Sequence, residues 1–441
     1  MSASPFHLGW FMSGFRVLGW QDQWIGSQAT TSMRADFYVD FARNLERACF
    51  DFFLSADSSY VPDAWEGKHD WALTNAEAVP KQDPAPMMAV IGHLTSNIGI
   101  APTLSVTEYP PYLLARLIST LDHISSGRVA WNSVTSSSDR AAQNYGHPAQ
   151  PPHDIRYEMA HEFTEVVTGL WDTWEPGSMP MDQKAGVFAD PTKVHTLDFE
   201  GKYYRSRGPL NTGRSPQGRP VIIQAGGSPA GRDYGARFAE VILSAAKGVD
   251  EMKAYRNDIR ARLVAYGRKP DDCKVMFLCA PVLGDTREAA EIKRNQMLAR
   301  AAADYTYALA HMGYNTNIDF SVYDPDVPIR DLADQFSTNG HQSSLESFIT
   351  SNRDRTLREL GSMAADGGAT GGFIGTPDDV AAQMDEMMQE VGGDGFLIRY
   401  DTVSRRSIAE ITDGLVPALQ RRGLVRRGYS YSTLRDNLLE F

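Results

Sequence analysis

The sequence predicts a (β/α)8 TIM barrel, an α/β fold in which parallel strands alternate with helices around a closed ring. Eight short apolar runs rich in β-formers are spread along the chain, and helical periodicity returns between them. No repeat of solenoid length interrupts this alternation. A regular alternation of strand and helix favours a parallel barrel over an open sheet.

The first half of the chain supplies four strands. Each is a short apolar run, and the third and fourth are separated by a helix that begins after Tyr109-Pro110-Pro111 and stops at Ser125-Ser126-Gly127. In the helix over residues 36–50, apolar side chains share one face and Asp36 can cap the start. The predicted strands are His7–Met12, Phe50–Asp57, Ile98–Val106 and Val129–Trp131, and the predicted helices are 36–50, Pro86–Thr95 and Tyr112–Ile124.

The second half repeats the pattern. Its strands are again apolar, and the first of them opens through glycines into a helix. The predicted strands are Pro220–Ser228, Glu240–Ser244, Cys273–Leu283 and Gly395–Tyr400, and the predicted helices are Arg156–Trp171, Arg232–Ala239, Asp250–Tyr266, Asp378–Val391 and Ser407–Arg422.

Three stretches do not fit the alternation. Residues 58–84 are rich in Trp, Pro and charge, 174–218 are rich in Pro and Gly, and 286–372 contain helical segments and loops. Each is too long for an ordinary connection. We therefore expect residues 1–441 to form one barrel domain that carries insertion segments over its carboxyl-terminal mouth.

Composition excludes several functions. With 55 acidic and 43 basic residues, the net charge of −12 gives no electrostatic footprint for nucleic acid or an anionic membrane. Cys49, Cys273 and Cys279 lack C-x-x-C spacing, so we expect neither disulfides nor a zinc site, which suits the reducing cytoplasm. We find no secretory leader and no apolar run of the about 18 residues that span a bilayer. We therefore expect a cytoplasmic protein.

Polar side chains follow the fourth strand at the point where it ends. The run from Asn132 to Ser138 is almost entirely Asn, Ser and Thr. Because a barrel carries its active site on the loops after the strands, Asn132 is a candidate ligand contact. The hydroxyl groups, taken singly, are better explained by a loop that caps the next helix through Asp139.

A glycine turn after the fifth strand can bind an anion. Gly226-Gly227-Ser228 leads from a strand into a helix, where free N–H groups, the positive end of the helix dipole and a hydroxyl suit a phosphate. A plain βα turn explains the same residues equally well. No G-x-G-x-x-G follows a strand and no Walker A motif occurs, so a Rossmann unit is unsupported. His161–Glu165 lacks the second His of the H-E-x-x-H zinc motif, which argues against a metalloprotease. Pro229 has no N–H for the oxyanion hole of a nucleophile elbow, which argues against a serine hydrolase.

The motifs taken together resemble those of the bacterial-luciferase-like flavin monooxygenases, in the branch of the nitrilotriacetate, dibenzothiophene sulfone and long-chain alkane enzymes. The likeness spans nearly the whole chain. The matching segments are Phe50–Asp57, Tyr109–Tyr112, Thr120–Ser136, Asn144–Gly146, His153–Glu158, Ala185–Pro191, Gly208–Leu210, Ser215–Gly218, Gln224–Gly226 and Thr433–Leu438. Two departures stand out: Ser136 replaces a His of some relatives, and Gly19-Trp20-Gln21 replaces the Gly-x-Trp-Arg of the sulfone enzymes. The sulfone or alkane substrate is therefore not carried over.

The resemblance implies a cofactor and a set of site residues. The cofactor is FMN, bound in its reduced form (FMNH2) and oxidised by O2 as cosubstrate. Asp57, Thr103 and Asn132 would surround the flavin ring. Tyr157, Gly227 and Ser228 would hold the phosphate, and His153 would lie close to both groups. Among these, Asn132, Thr103 and His153 are the residues to which the resemblance assigns catalysis.

The resemblance also implies partners and leaves an alternative open. A separate NAD(P)H:flavin reductase would supply the FMNH2. The substrate would be a small organic compound that contains sulfur or nitrogen, and the enzyme would act in xenobiotic degradation. The chain would form a homodimer or homotetramer. The insertions at 174–218 and 286–372 would form the substrate pocket and lid. Barrels of this family also include F420-dependent reductases, which need no oxygen, and a catalytically silent barrel is a third possibility.

Overall fold

The computed structural model of the chain describes residues 4–13, 30–303, 305–339, 342–360, 372–400 and 402–441, and it contains a closed barrel of eight parallel strands. The predicted fold class is confirmed. The barrel strands are β1 (His7–Met12), β2 (Phe52–Ser55), β3 (Gly99–Ser105), β4 (Ala130–Val134), β5 (Val221–Gln224), β6 (Val241–Ser244), β7 (Lys274–Cys279) and β8 (Gly395–Arg399). The ring closes at β1, where Gly9 lies opposite Phe52 of β2 on one side and Leu397 of β8 on the other.

Helices surround the ring, and they end where the sequence provides stops. For example, α4 stops at the Ser125-Ser126-Gly127 turn, in which Gly127 has a φ of 89°. The helices are α1 (Ala35–Arg47), α2 (Asp70–Asn75), α3 (Pro84–Leu94), α4 (Pro111–Ile124), α5 (Asp139–Asn144), α6 (His153–Asp172), α7 (Pro229–Phe238), α8 (Gly248–Ala265), α9 (Arg287–Ala303), α10 (Tyr305–Thr316), α11 (Ile329–Leu332), α12 (Gln342–Ser351), α13 (Pro377–Val391), α14 (Arg405–Ala409), α15 (Val416–Arg421) and α16 (Leu434–Leu438). A π-helical segment, Glu410–Leu415, joins α14 to α15.

Side chains alternate between the two faces of the barrel wall. Ala101 of β3 and Ala130 of β4 belong to the cluster inside the ring, whereas their neighbours Ile100 and Trp131 pack outward against the helices. The inner cluster consists of Phe52, Leu54, Ala101, Ala130, Val221, Ile223, Val241, Leu243, Met276, Leu397, Leu434 and Leu438. Residues two positions after Ala101 and Ala130 therefore also point into the barrel.

The predicted seventh strand is wrong at its end. We expected one strand over Cys273–Leu283, but β7 stops at Cys279. Pro281 has no N–H to donate to a neighbouring strand, so the barrel ladder cannot continue through it. Val282–Leu283 instead pairs with Ile374–Gly375 as a separate two-stranded sheet.

The segments outside the alternation have structure of their own. Residues 286–360 include four of the helices. Apolar side chains of α10, α11, α12 and the segments beside them form a separate hydrophobic cluster around Phe320 and Phe348. Trp65, from the stretch 58–84, packs against that cluster. Residues 361–371, which belong to the predicted insertion, lie outside the described residues.

The amino-terminal end of the barrel is filled by α16. Leu434 and Leu438 enter the inner cluster, and a Cβ on Gly99 would come within 2.7 Å of Leu434. Within the described ranges, no helix is both long and apolar enough to cross a bilayer.

Candidate active site

Thr103 and Asn132 form a polar pair inside the carboxyl-terminal mouth. The two residues lie opposite each other on β3 and β4, and both point into the ring. The Asn132 Nδ2 donates a hydrogen bond of 2.8 Å to Thr103 Oγ1, and both side chains are at most 5 % exposed. The Oδ1 of Asn132 has no partner among the described residues. Because an unpaired buried acceptor costs about 1–3 kcal/mol, this oxygen is suited to accept a hydrogen bond from a ligand.

Asp57 follows β2 at the same end of the barrel. Its Oδ1 accepts a hydrogen bond of 2.8 Å from the Ser58 N–H. Burial raises the pKa of Asp57 to about 6; the nearby Lys81 opposes this shift, and Glu108 adds to it. The carboxyl group can therefore gain or lose a proton near neutral pH.

Lys81 is a buried cation that sequence reasoning missed. Burial lowers the pKa of Lys81 to about 8, although Asp57 and Glu77 favour its charged form. Its Nζ donates to the Ser13 carbonyl at 3.3 Å. The sequence carried no signal for Lys81, because it lies in the irregular stretch 58–84.

Glu108 was also missed, although it comes three residues after β3. It accepts hydrogen bonds from the Ser59 hydroxyl at 3.0 Å and from the Ser136 hydroxyl at 2.8 Å. Burial raises the pKa of Glu108, and these hydrogen bonds oppose the shift. Ser136 has a φ of 52°, a conformation that non-glycine residues rarely adopt and that concentrates at functional sites. The position of Ser136 after a strand end was the available signal.

The glycine turn after β5 leads into α7, as predicted. The Ser228 side chain caps the helix, with its Oγ accepting a 3.1 Å hydrogen bond from the Gly231 N–H. The turn is tight: a Cβ on Gly231 would lie 2.9 Å from the Gly226 Cα and 2.7 Å from the Tyr157 hydroxyl oxygen. Because Gly231 has no Cβ, the Tyr157 hydroxyl can lie beside the start of α7.

Tyr157 and His153 lie in the first turns of α6. Burial raises the pKa of Tyr157, while its interactions with Ser228 and Thr135 oppose the shift. The His153 ring centroid is 5.0 Å from that of Tyr157, and its Nδ1 is 2.8 Å from Asp154. No hydrogen bond joins His153 to Thr103 or Asn132, so the structure groups His153 with Tyr157.

Contacts between residues 58–84 and α10 lie beside this end of the barrel. Glu77 is 1 % exposed and accepts hydrogen bonds from the Tyr307 hydroxyl at 3.0 Å and the His311 ring at 2.8 Å. Tyr60 stacks on Tyr314 with the ring centroids 5.7 Å apart. These contacts hold the two segments together.

The site therefore offers a buried acceptor with titratable neighbours and, on the α7 side, a turn that suits an anion. Such an arrangement can bind an elongated ligand with a polar ring system and a terminal anionic group. In the part of the chain that the structure describes, no three His, Cys, Asp or Glu side chains are grouped to hold a metal ion.

Comparisons with known proteins agree with the motifs. Residues 13–395 match the family described as luciferase-like monooxygenase. The chain is 35 % identical to dibenzothiophene-sulfone monooxygenase of Rhodococcus erythropolis (strain XP), with 98 % of this chain and 96 % of that protein covered. It is 33 % identical to nitrilotriacetate monooxygenase component A of Aminobacter aminovorans, with 97 % and 94 % covered. A crystal structure of riboflavin lyase with modified FMN and riboflavin superposes with a TM-score of 0.88 at 32 % identity, covering 99 % of this chain and 96 % of that one.

Proposed function

The chain belongs to the luciferase-like monooxygenases and is a flavin-dependent monooxygenase, and on that premise we propose that it is the oxygenase component of a two-component system. It would bind FMN reduced by a separate NAD(P)H:flavin reductase. With O2 as cosubstrate, it would then oxidise a small organic compound that contains sulfur or nitrogen.

One observation carries the choice of cofactor. The unpaired Asn132 Oδ1 inside the mouth and the glycine turn at Ser228 match the two ends of FMN, whose ring system has N–H donors and whose ribityl chain ends in a phosphate. The relative crystallised with modified FMN supports the same choice. When bound, the reduced flavin supplies the electrons that activate O2.

The chain's own residues would orient the cofactor and exclude water. Asn132 and Thr103 would bind the ring system, and Tyr157, Gly227 and Ser228 would bind the phosphate. Asp57 can hold or release a proton near neutral pH at its carboxylate.

The insertions at 174–218 and 286–372 would form the substrate pocket and lid. The stretch 58–84, joined to α10 by contacts such as Glu77 with His311, would help to keep water from the reaction.

The reductase partner and the substrate class follow from the relatives and the sequence. A separate reductase would suit a chain in whose sequence no G-x-G-x-x-G motif follows a strand. One relative is named as component A of a monooxygenase, and another is named for a sulfone substrate. These names support a separate reductase and an organic sulfur or nitrogen substrate.

The test combines the purified chain with FMN, NADH, a flavin reductase and a panel of sulfones, thioethers and aminocarboxylates. We expect substrate-dependent product that incorporates one atom of 18O2, and no product when FMN or oxygen is left out. Turnover under strictly anaerobic conditions with reduced F420 would instead identify a reductase. Failure of the chain to bind reduced FMN would overturn the proposal.

A further inference from the structure

Two successive carbonyl groups in the glycine turn are held from the outer side of the barrel. The Tyr255 hydroxyl on α8 donates a 2.7 Å hydrogen bond to the Gly226 carbonyl. The Arg232 Nε on α7 donates a 2.9 Å hydrogen bond to the Gly227 carbonyl. Both partners lie outside the motifs that carry the family resemblance, and the proposed function uses neither of them.

The positions of these carbonyls fix the directions of the next two N–H groups. In a planar trans peptide, the N–H of one residue points opposite to the carbonyl of the residue before it. The Gly227 and Ser228 N–H groups therefore point away from Tyr255 and Arg232. Neither N–H donates to an acceptor among the described residues. Successive free N–H groups of this kind form a concave site for anions.

Tyr255 and Arg232 are themselves held firmly. Tyr255 is 5 % exposed, and the Arg232 guanidinium lies 4.5 Å above the Tyr255 ring. The Nη1 of Arg232 pairs with Asp258 at 3.2 Å. A Cβ on Gly226 would lie 2.7 Å from the Gly231 Cα, so the turn is too tightly packed to accept a larger residue at position 226. The two side chains thus hold a preorganised backbone.

We propose that Tyr255 and Arg232 are positioning residues for the phosphate of the flavin. They hold the carbonyls of Gly226 and Gly227 outward and thereby direct the N–H groups of Gly227 and Ser228 to the phosphate. This inference rests on the proposed function, because it requires a phosphorylated flavin at the turn.

The test compares reduced FMN with reduced riboflavin, which lacks the phosphate, in anaerobic titrations of the full chain. The Tyr255→Phe variant removes one hydroxyl and keeps the ring. We expect the Kd for reduced FMN to rise about five- to tenfold, the effect of one lost hydrogen bond, and the Kd for reduced riboflavin to stay unchanged. The matched control is Tyr266→Phe, which removes the 2.6 Å hydrogen bond to Asp233 and should change neither Kd.

Arg232 variants separate positioning from simple charge attraction. Arg232→Lys keeps the positive charge but has no N–H at the place of the Arg232 Nε, so it cannot make the same hydrogen bond to the Gly227 carbonyl. We therefore expect it to weaken the binding of reduced FMN about as much as Arg232→Gln does. Full rescue by Lys would show that Arg232 acts through its charge, and it would overturn the positioning role. Melting temperatures are measured in parallel. If a variant raises the Kd for reduced FMN and the Kd for reduced riboflavin together, it has a general structural defect, and this result also contradicts the proposal.

The outcomes distinguish this inference from the proposed function. If the unmodified chain prefers reduced FMN to reduced riboflavin and Tyr255→Phe keeps that preference, only the positioning role fails. If the unmodified chain binds both flavins equally, the turn does not recognise the phosphate and the inference fails. If it binds neither flavin, the proposed function fails as well.

Discussion

Asp51 and Asp57 lie at opposite ends of the same short strand, β2, yet their environments differ completely. Asp51 precedes the strand at the amino-terminal end of the barrel, and Asp57 follows it at the mouth. Asp51 is buried and has strong partners on both oxygens, whereas Asp57 is half-buried and accepts a hydrogen bond from the Ser58 N–H. The difference shows how one fold separates stability from chemistry.

At the amino-terminal end, buried charges are paired. Asp51 Oδ1 contacts His7 at 2.9 Å and Arg426 at 2.7 Å, and its Oδ2 accepts a 2.8 Å hydrogen bond from the Leu8 N–H. Burial by itself raises the pKa of Asp51, but these partners outweigh it and hold the pKa below its usual value. Asn437 nearby is likewise saturated, since its Oδ1 accepts from Arg426 and its Nδ2 donates to two carbonyls.

At the mouth, buried polar groups are left incomplete. Asn132 keeps an unpaired oxygen, and burial raises the pKa of Asp57 to about 6 because the opposing effect of Lys81 only partly offsets it. Such groups reduce the stability of the folded chain but are available to a ligand. The comparison therefore predicts that the same chemical change has opposite effects at the two ends.

The largest expected effect is on stability, from Asp51→Asn. The substitution removes the buried carboxylate that faces Arg426 Nη2 and leaves that guanidinium only the partly exposed Glu440 carboxylate among the described residues, so we expect the free energy of unfolding to fall by about 3–5 kcal/mol. Chemical denaturation at pH 7 measures the change. A loss no larger than that of an ordinary surface substitution would contradict the view that this carboxylate holds the amino-terminal end together.

The second effect is on activity, from Asn132→Ala. We expect turnover to fall by about 100-fold, the usual cost of one preorganised hydrogen-bonding group. The melting temperature should change little, because removing the unpaired acceptor offsets the loss of the hydrogen bond to Thr103. Asn437→Ala is the matched control at the other end. It should lower the melting temperature and leave the turnover of the folded fraction unchanged; the reverse pattern would remove the distinction between the two ends.

The smallest effect is the pH-dependent one, from Asp57→Asn. The pKa of Asp57 is raised in the folded chain, so its contribution to stability is complete below its unfolded value of about 3.8 and is lost as pH rises through about 6. The full shift corresponds to about 3 kcal/mol. Because the side chain is only half-buried and its charge also stabilises that of Lys81, we expect Asp57→Asn to increase the free energy of unfolding by about 1 kcal/mol at pH 8, with the difference vanishing near pH 3.5. Unfolding curves across this range check the sign, which is opposite to that for Asp51→Asn.

Much of the candidate site could be predicted because its residues lie towards or beyond the carboxyl ends of strands, although Asn132 lies within β4, which extends to Val134 and not only to the predicted Trp131. Asp57, Thr103, Asn132 and Ser228 each follow from an apolar run that ends in a polar residue, and the barrel brings such ends to one mouth. Tyr157 and His153 came only from the family resemblance, since a tyrosine or histidine on a helix is more often a packing residue. The structure places Tyr157 beside Ser228 and His153 beside Tyr157, and their roles remain predictions.

The residues that could not be predicted are those whose function depends on distant partners. Lys81 and Glu108 become candidate site residues only because folding buries them near Asp57. Tyr255 contacts the glycine turn only because α8 packs against this turn, in which Gly226 lies 29 residues earlier in the chain.

The sequence by itself determined the barrel and the sites of its strand ends, because the period of apolar residues along the chain is a local property. Only the tertiary structure decided which polar atoms are paired and which are left for a ligand. Burial and the approach of charges from other segments depend on how the whole ring closes.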